Sequence, residues 1–490
     1  MPDYQIAEIL PENVPAKYDK RHEQRLINDI LELLVTHHGG GMSEDDLDRN
    51  IEDFQKAIEL ARLSHSEQYR KSGEPYFFHP LRVSLLAARH WMGFPSVIAA
   101  LLHDVVEDTS VSLAHVKREF GGEVSLLVNG LTKAADKKLS RLVLKEKTYR
   151  KQLLAAVEDI RVLCLKFWDR IDNLQTIGAL PVTKQSLIAE ETRKIYVPLS
   201  LHLGMGYVST ELESLSLNIL YPTRTARYQN RIDEIKSNSD AFLRKLRSGI
   251  HSALDHHKIS FTLNDRWRSF SIPAARVSKR GLQAVYTLDI QVDHTMEAYM
   301  ALGLIHGLYP PIPGKLRDHL SVPSQHGYQA LKSTIQAGEE RVRIEITTRK
   351  LARFNESGVL APGFEFRKTN FTELMHSLLE GEAAFDAESL RVASRTIQVY
   401  TPQGEMRVLP EGSCVLDFAF DIHEELGLHA VNARVNGRTR LLKSRLMDGD
   451  QVAISRSGKR TVLPKWLEWT VTPKARNAIR RYLRGKVNSK

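Results

Sequence analysis

Cysteine is nearly absent: Cys164 and Cys414 are the two in 490 residues. Two thiols cannot build a disulfide framework, so a reducing, cytoplasmic compartment is expected. The N-terminus, MPDYQIAEILPENVPAKYDKRHEQ, has no apolar stretch behind a basic start. It gives no secretory signal. No apolar run approaches the roughly 18 residues that read as a membrane-spanning helix. Internal repeats and low-complexity segments are also missing. Hydrophobic residues make up 42% of the chain, so a folded chain rather than a disordered one is expected. The length suggests about three or four domains.

Charge is what the chain has in excess. A formal net charge of +10 suits polyanionic partners such as nucleotides, RNA, ribosomes or anionic surfaces, and also suits an ordinary basic enzyme. Residues 474–490 concentrate seven Lys/Arg and no acid. That run reads either as an RNA contact or as a solvated helix face.

The pattern along the chain divides it. Residues 1–45 read as a leader with one helix near Glu23–Val35, broken by the triple glycine of HHGGGMSEDD. Ser43, with acids behind it, signals a new helix start. Residues 46–206 carry apolar residues at three- and four-residue spacing, as in IEDFQKAIELARLSH and FFHPLRVSLLAARHW, and predict an all-α domain. Residues 207–250 read as connecting helices. VYTLDIQV (285–292) and ERVRIEITT (340–348) are β-rich with a helix between them near Met296–His306, which makes 251–380 an α+β domain. Residues 394–458 predict a compact ββαββ-like unit. It has a hairpin at RTIQVYTPQGEMRVLP, a short helix at VLDFAFDIHEELG, and a second hairpin at VNARVNGRTRLL turning on Asn-Gly. The tail, 459–490, reads as helical and basic.

The densest chemistry lies in HDVVEDT, residues 103–109. On one helix His103 and Glu107 would share a face, and Asp104 and Asp108 would form the same pair one step round. Buried together these groups repel, and a divalent cation turns that repulsion into ligation. His79 in PYFFHP and Asp169 in LKFWDRIDN would complete the set. His79, His103, Asp104 and Asp169 are the two imidazoles and two carboxylates of an HD-type phosphohydrolase. Mixed N/O ligands favour Mn²⁺, Zn²⁺ or Fe²⁺ over Ca²⁺. Such a cation lowers the pKa of water to about 7 in the best cases. Glu107 and Asp108, outside the ligand set, would orient or deprotonate that water. A solvated acidic helix face would give the same local pattern at His103-Asp104 alone; the four elements in order favour the metal.

YRKSGEPYFFHP, LLHDVVEDT and KFWDRIDNLQT resemble the hydrolase domain of the long RelA/SpoT homologues, the alarmone enzymes, in their SpoT-like form. LGLIHGLYPPIPGKLRDHLSVPSQHGYQALKST resembles part of their synthetase domain, residues 395–458 their TGS domain, and WLEWTVTPKARNAIRRYLR the helical region after it. The resemblance spans almost everything beyond residue 45. It implies an all-α HD hydrolase domain, an α+β nucleotidyltransferase-like domain and a small β-grasp module. It also implies Mn²⁺-dependent removal of the 3′-pyrophosphate from (p)ppGpp, leaving GDP or GTP. Carried over, Arg70, Lys71 and Ser72 would cradle the guanine, and Asn173 and Thr176 would contact the nucleotide. Asp172 departs from the family, which usually carries His there.

The resemblance also implies a disarmed synthetase. Ala284 stands where the family holds a Mg²⁺-binding Asp, and Arg343 where it holds a Glu; Thr347 replaces an Arg. Asp289 is out of register, and RWRSFSIP is a poor match to the family's basic stretch. A phosphoryl-type transfer needs its metal held by carboxylates, so synthesis is expected to be lost. Tyr328, where the family stacks a guanine, is kept, as are Lys315 and Arg317 on the GKLRDH loop. These three form a candidate second nucleotide site for a regulatory guanine nucleotide, or else keep only a scaffold. The TGS-like module and basic tail are candidate contacts for a ribosome or protein partner. Two alternatives remain beside the (p)ppGpp hydrolase: an HD phosphohydrolase acting on another nucleotide such as (p)ppApp, and a non-enzymatic regulator.

Overall fold

The computed structural model describes residues 20–133, 141–267, 281–323, 327–362, 396–403, 405–447 and 449–487. The chain divides into two compact units. The first contains the helical region and the α+β region; the second contains the C-terminal module together with Lys194–His202.

The helical region begins with α1 (Lys20–His38), which ends at the predicted glycine turn, Gly39–Gly41. Ser43 then caps α2 (Glu44–Ser64): its hydroxyl accepts the Asp46 amide at 3.2 Å, and Glu44, Asp45 and Asp46 fill the positive first turn. Next come α3 (Phe78–Arg89) and α4 (Phe94–Leu102). Every residue of α3 from Phe78 to Ala88 is buried, the signature of a helix packed on all sides. It packs against α1 and α4. Then follow α5 (Val105–Asp108), α6 (Leu113–Leu131), α7 (Arg141–Glu158), α8 (Arg161–Gln175), α9 (Val182–Glu191) and α10 (Val197–His202). α8 lies against both α3 and α6. α11 (Gly206–Leu220) and α12 (Pro222–His256) form the connection.

One expectation fails here. His103 and Glu107 do not lie on a continuous helix, because α4 ends at Leu102 and α5 starts at Val105. The cause is local: His103 Nδ1 bonds the Ala100 carbonyl at 2.7 Å, an acceptor that an unbroken helix would give to the Asp104 amide. The break turns the His-Asp pair inward, where His103 is 4% and Asp104 9% exposed.

The α+β region is a five-stranded sheet in the order β1-β2-β5-β4-β3, comprising β1 (Phe261–Trp267), β2 (Tyr286–Val292), β3 (Arg317–Asp318), β4 (Leu331–Ala337) and β5 (Glu340–Thr348). β2 and β5 run parallel and the other pairs antiparallel. A short helix, α13 (Leu282–Val285), leads into β2, and α14 (Thr295–Leu308) follows it. Leu246 and Ile250 of α12 and Ile305 of α14 pack with Ile290 and Ile344 of the sheet in one apolar core. After β5, α15 (Arg349–Ser357) ends at Gly358, with φ of 56°. There the Val359 amide donates to the Leu203 carbonyl at 3.1 Å, tying this region to the loop before α11.

In the second unit, β6 (Thr396–Tyr400) and β7 (Met406–Pro410) pair as the expected hairpin. α16 (Val415–Ile422) and α17 (Glu424–Leu428) follow, then β8 (Ala430–Val435), β9 (Arg438–Leu441) and β10 (Val452–Arg456) in the order β10-β8-β9. Asn436 and Gly437 make the β8–β9 turn with φ of 51° and 79°, as an Asn-Gly hairpin requires. The ββαββ reading is corrected twice. The helix is broken at His423, which is extended and accepts the Glu425 amide on its ring at 3.2 Å. A further strand, β10, pairs with β8 and touches the first hairpin through a Tyr400–Gln451 bridge. After α18 (Trp466–Trp469), the basic tail forms α19 (Pro473–Val487). It is no detached arm: Ala475, Ala478 and Ile479 enter the module's apolar core. Among the described residues no helix is long and apolar enough to cross a membrane.

Candidate metal centre

Three elements of the helical region converge. α3 carries His79, the α4–α5 break carries His103 and Asp104, and the middle of α8 carries Asp169. Donor atoms of His79, His103 and Asp169 lie within 4.8 Å of one another, and all three residues are buried. Asp104 joins them: its Oδ2 is 3.6 Å from His79 Nε2 and 3.3 Å from His103 Nε2. His103 Nε2 is buried without a hydrogen-bond partner, and Nδ1 is committed to the Ala100 carbonyl. A buried acceptor nitrogen facing two carboxylates fits a divalent cation.

The electrostatics agree. Burial opposes charge on His79, but the carboxylates Asp169 and Asp172 outweigh it and raise the imidazole to about 9. Burial works against ionised Asp104 and Asp169 as well. The imidazoles hold Asp104 low, and Lys166 with His79 holds Asp169 well below its ordinary range. Lys166 Nζ lies 2.5 Å from Asp169 Oδ2. The cluster attracts positive charge, and a cation would take the place of a proton.

Glu107 and Asp108 lie beside this cluster but are held differently. Glu107 accepts from the backbone amide and, at 2.7 Å, the ammonium of Lys133. Asp108 is raised above its usual value, first by desolvation and then by the Asp104 charge. Tyr76 links Asp104 and Asp108: its hydroxyl donates to Asp104 Oδ2 at 2.7 Å and lies 3.4 Å from Asp108 Oδ2. The sequence reading missed Tyr76, although it sits three residues before His79 in the quoted PYFFHP.

The residues expected to touch nucleotide are partly assembled. Arg70 Nη1 bonds Thr176 Oγ1 at 2.8 Å and Arg70 Nη2 bonds Asn173 Oδ1 at 2.5 Å. Asn173 in turn donates to Asp169 Oδ1 at 2.5 Å, so this trio adjoins the candidate metal ligands. Lys71 and Ser72 stand exposed at the tip of the turn that follows Arg70. Sequence reasoning also missed Glu74, Arg82 and the reach of Asp172. These three are buried at 2%, 3% and 1% exposure, and no local motif marks residues paired across ninety positions.

On the α+β sheet, Ala284 and Arg343 do meet. Arg343 Nη2 donates to the Ala284 carbonyl at 2.9 Å. Asp289 and Glu345 are register partners on β2 and β5, and Arg266 lies over both, 2.8 Å from Glu345 and 3.6 Å from Asp289. Thr347 donates its hydroxyl to the Gln329 carbonyl at 2.9 Å. Tyr328 has the Lys332 ammonium 3.8 Å over its ring; burial and the Glu345 carboxylate raise its phenol well above the usual range. Lys315 and Arg317 are exposed, and Arg317 donates to the carbonyls of Gly314 and Leu316. Of RWRSFSIP, residues 268–273 lie outside the described residues, as do Gly404 of the first hairpin turn and the last part of the 251–380 region.

Three family profiles match the chain. They are an HD domain over residues 57–206, a "region found in RelA / SpoT proteins" over 268–362, and a TGS domain over 397–455. Among curated relatives, the guanosine-3′,5′-bis(diphosphate) 3′-pyrophosphohydrolase of Aquifex aeolicus is 32% identical over 477 residues, covering 94% of this chain and 67% of that protein. A probable GTP pyrophosphokinase of Mycobacterium leprae is 34% identical over 493 residues, covering 94% and 62%. A GTP pyrophosphokinase of Brucella ovis is 32% identical over 460 residues, covering 89% and 61%. The chain thus spans roughly two-thirds of the length of these relatives, two of which carry a synthetase name and one a hydrolase name.

Proposed function

The chain belongs to the RelA/SpoT family, and on that premise we propose that its helical domain hydrolyses the 3′-pyrophosphate of (p)ppGpp in a Mn²⁺-dependent reaction. The observation that carries this reading is the buried convergence of His79, His103, Asp104 and Asp169 from three separate elements. Those four would hold the cation. When bound, the cation supplies Lewis acidity, polarising a phosphoryl oxygen and making water a stronger nucleophile.

The chain's own groups would do the rest. A water oxygen bonds to the phosphorus on the 3′ oxygen, the bond between that phosphorus and the 3′ oxygen breaks, and pyrophosphate leaves as the 3′ oxygen gains a proton. Asp108, raised above its usual value by desolvation and by Asp104, is suited to take a proton from the water and pass it to the 3′ oxygen. Glu107, held by Lys133, anchors the turn that presents Asp108. Tyr76 holds the Asp104 carboxylate in place. Arg70, pinned edge-on by Asn173 and Thr176, would offer its guanidinium plane to a purine. Lys71 and Ser72 would close over that base from the exposed turn.

The α+β domain fits a reading without synthesis. Arg343 brings a cation to Ala284, at the pair of positions where the family resemblance implies metal-binding acids. Lys332 covers one face of Tyr328, so a guanine could use only the other face of that ring. A regulatory nucleotide at Lys315, Arg317 and Tyr328, and a ribosome or protein partner on the TGS module, are the roles left to this half of the chain.

Asp104→Ala tests the central site. It is expected to lose about a hundredfold or more of ppGpp turnover while keeping the wild-type melting curve. Turnover at the wild-type rate would sink the metal assignment. Faster turnover of ppApp than of ppGpp by the wild type would favour the other nucleotide.

A further inference from the structure

Asp172 sits in a buried network that the chemistry above leaves without a task. α8 presents Asp169 and Asp172 one turn apart, and α3 presents His79 and Arg82 at the same spacing. Where the helices meet, His79 is bracketed by carboxylates. Its Nε2 is 3.3 Å from Asp169 Oδ1, and its Nδ1 is 2.6 Å from Asp172 Oδ2. Asp172 Oδ1 accepts from Arg82 Nε at 2.5 Å, and Arg82 closes bidentately on Glu74 at 2.6 and 3.0 Å. The other Asp172 oxygen, Oδ2, also takes Arg70 Nη1 at 2.8 Å. Two carboxylates, Glu74 and Asp172, therefore meet two guanidiniums, Arg82 and Arg70. Those four charges balance one another, the condition under which they can be buried.

Asp172 Oδ2 thus serves three donors, His79 Nδ1, Arg70 Nη1 and, at 3.4 Å, Arg82 Nη2. An imidazole that gives its Nδ1 proton to a carboxylate presents the Nε2 lone pair on its far side, here toward Asp104 and Asp169. A cation held on Nε2 would fix the ring with its Nδ1 proton on Asp172 Oδ2, and so fix that carboxylate. Arg70 shares that oxygen. Arg70 also belongs to a tight turn, in which its own amide donates to the Glu74 carbonyl at 2.8 Å and the Gly73 amide donates to the Arg70 carbonyl at 2.9 Å.

We propose that Asp172 is a positioning residue joining the metal centre to the nucleotide loop: it fixes His79 for the cation and holds Arg70 in the same network, so that cation binding and loop order rise together. By reciprocity, a nucleotide seated on Arg70 tightens the cation. This rests on the functional reading only for the identity of the loop's ligand.

The test uses the full chain and Mn²⁺ alone. Mn²⁺ affinity is read from the resonance of free Mn²⁺, and the order of residues 69–76 from amide hydrogen exchange with and without the ion. The wild type is expected to bind Mn²⁺ and to slow exchange in the loop as it does so. Asp172→Asn is expected to lose roughly 10–100-fold in Mn²⁺ affinity, as outer-shell substitutions do, together with the Mn²⁺-dependent slowing. Arg70→Gln, which leaves His79 and Asp172 in contact, is expected to lose the slowing while losing less Mn²⁺ affinity than Asp172→Asn. Should Asp172→Asn fail to fold, Arg70→Gln decides alone. Wild-type affinity in Asp172→Asn, slowing retained in Arg70→Gln, or a wild type that binds no Mn²⁺ or binds it without slowing the loop, would each overturn the proposal. If these shifts hold but the wild type releases no pyrophosphate from ppGpp, the functional reading falls and the coupling stands.

Discussion

Asp108 and Glu107 are neighbours on one short turn, yet their surroundings give them different capacities. Glu107 is tied up by the Lys133 amide and ammonium, whereas Asp108 is pushed up by desolvation and by Asp104. Asp108→Asn is therefore expected to lower kcat by about two orders of magnitude or more, the range for a lost general acid–base group. It should also flatten the acid limb of the pH–rate profile. Glu107→Gln should keep that limb. Equal pH profiles for both variants would contradict the assignment. His90 gives a second prediction at this scale. It is buried against Trp168, rings stacked 4.2 Å apart, and desolvation lowers it to about 3. Unfolding returns it to about 6.5, so below that pH the unfolded state binds the extra proton and stability falls, continuing until the folded pKa is reached. Between pH 7 and pH 5 the loss is about 2 kcal/mol. Urea unfolding of His90→Gln should show a pH dependence smaller by that amount; an unchanged difference would contradict it.

Elements carry the geometry that residues cannot. The joint between α15 and the loop before α11 depends on Gly358, where φ is 56° and an added Cβ would stand 2.3 Å from the Leu203 carbonyl oxygen. Gly358→Ala is expected to destabilise the first unit by about 1–3 kcal/mol from backbone strain alone, with the clash adding to it, and the denaturation midpoint reads the effect. An unshifted midpoint would mean that the joint is looser than drawn. This is also the scale at which the sequence was most and least legible. Ser43, the Gly39–Gly41 break, the Asn436-Gly437 turn and strand 340–348 were readable because capping and turn chemistry are local. The break between α4 and α5 was not, since it depends on a side chain taking a backbone carbonyl. Strand β10 was missed because five residues acquire their identity from pairing with β8. The metal candidates were named from motif order, but Asp172, Arg82 and Glu74 were not assembled, because nothing in a linear pattern pairs residue 82 with residue 172.

At the scale of the whole molecule, the question is whether one domain works while another is silent. The helical domain has its two imidazoles and two carboxylates gathered and buried. On the sheet, a guanidinium rests on the Ala284 carbonyl, and Asp289 and Glu345, paired on β2 and β5, are bridged by Arg266. The relatives carry both hydrolase and synthetase names, so membership in the family does not choose between them. The net charge of +10 agrees with a highly anionic substrate and also with an anionic partner on the C-terminal module.

The decisive measurement places both reactions side by side in one preparation: release of pyrophosphate from ppGpp with Mn²⁺, and formation of ppGpp from ATP and GDP with Mg²⁺. The account expects pyrophosphate and GDP from the first and no product from the second. Synthesis of ppGpp would contradict the reading of Ala284 and Arg343, and absence of hydrolysis by a Mn²⁺-loaded chain would contradict the function assigned to the buried histidine–aspartate centre.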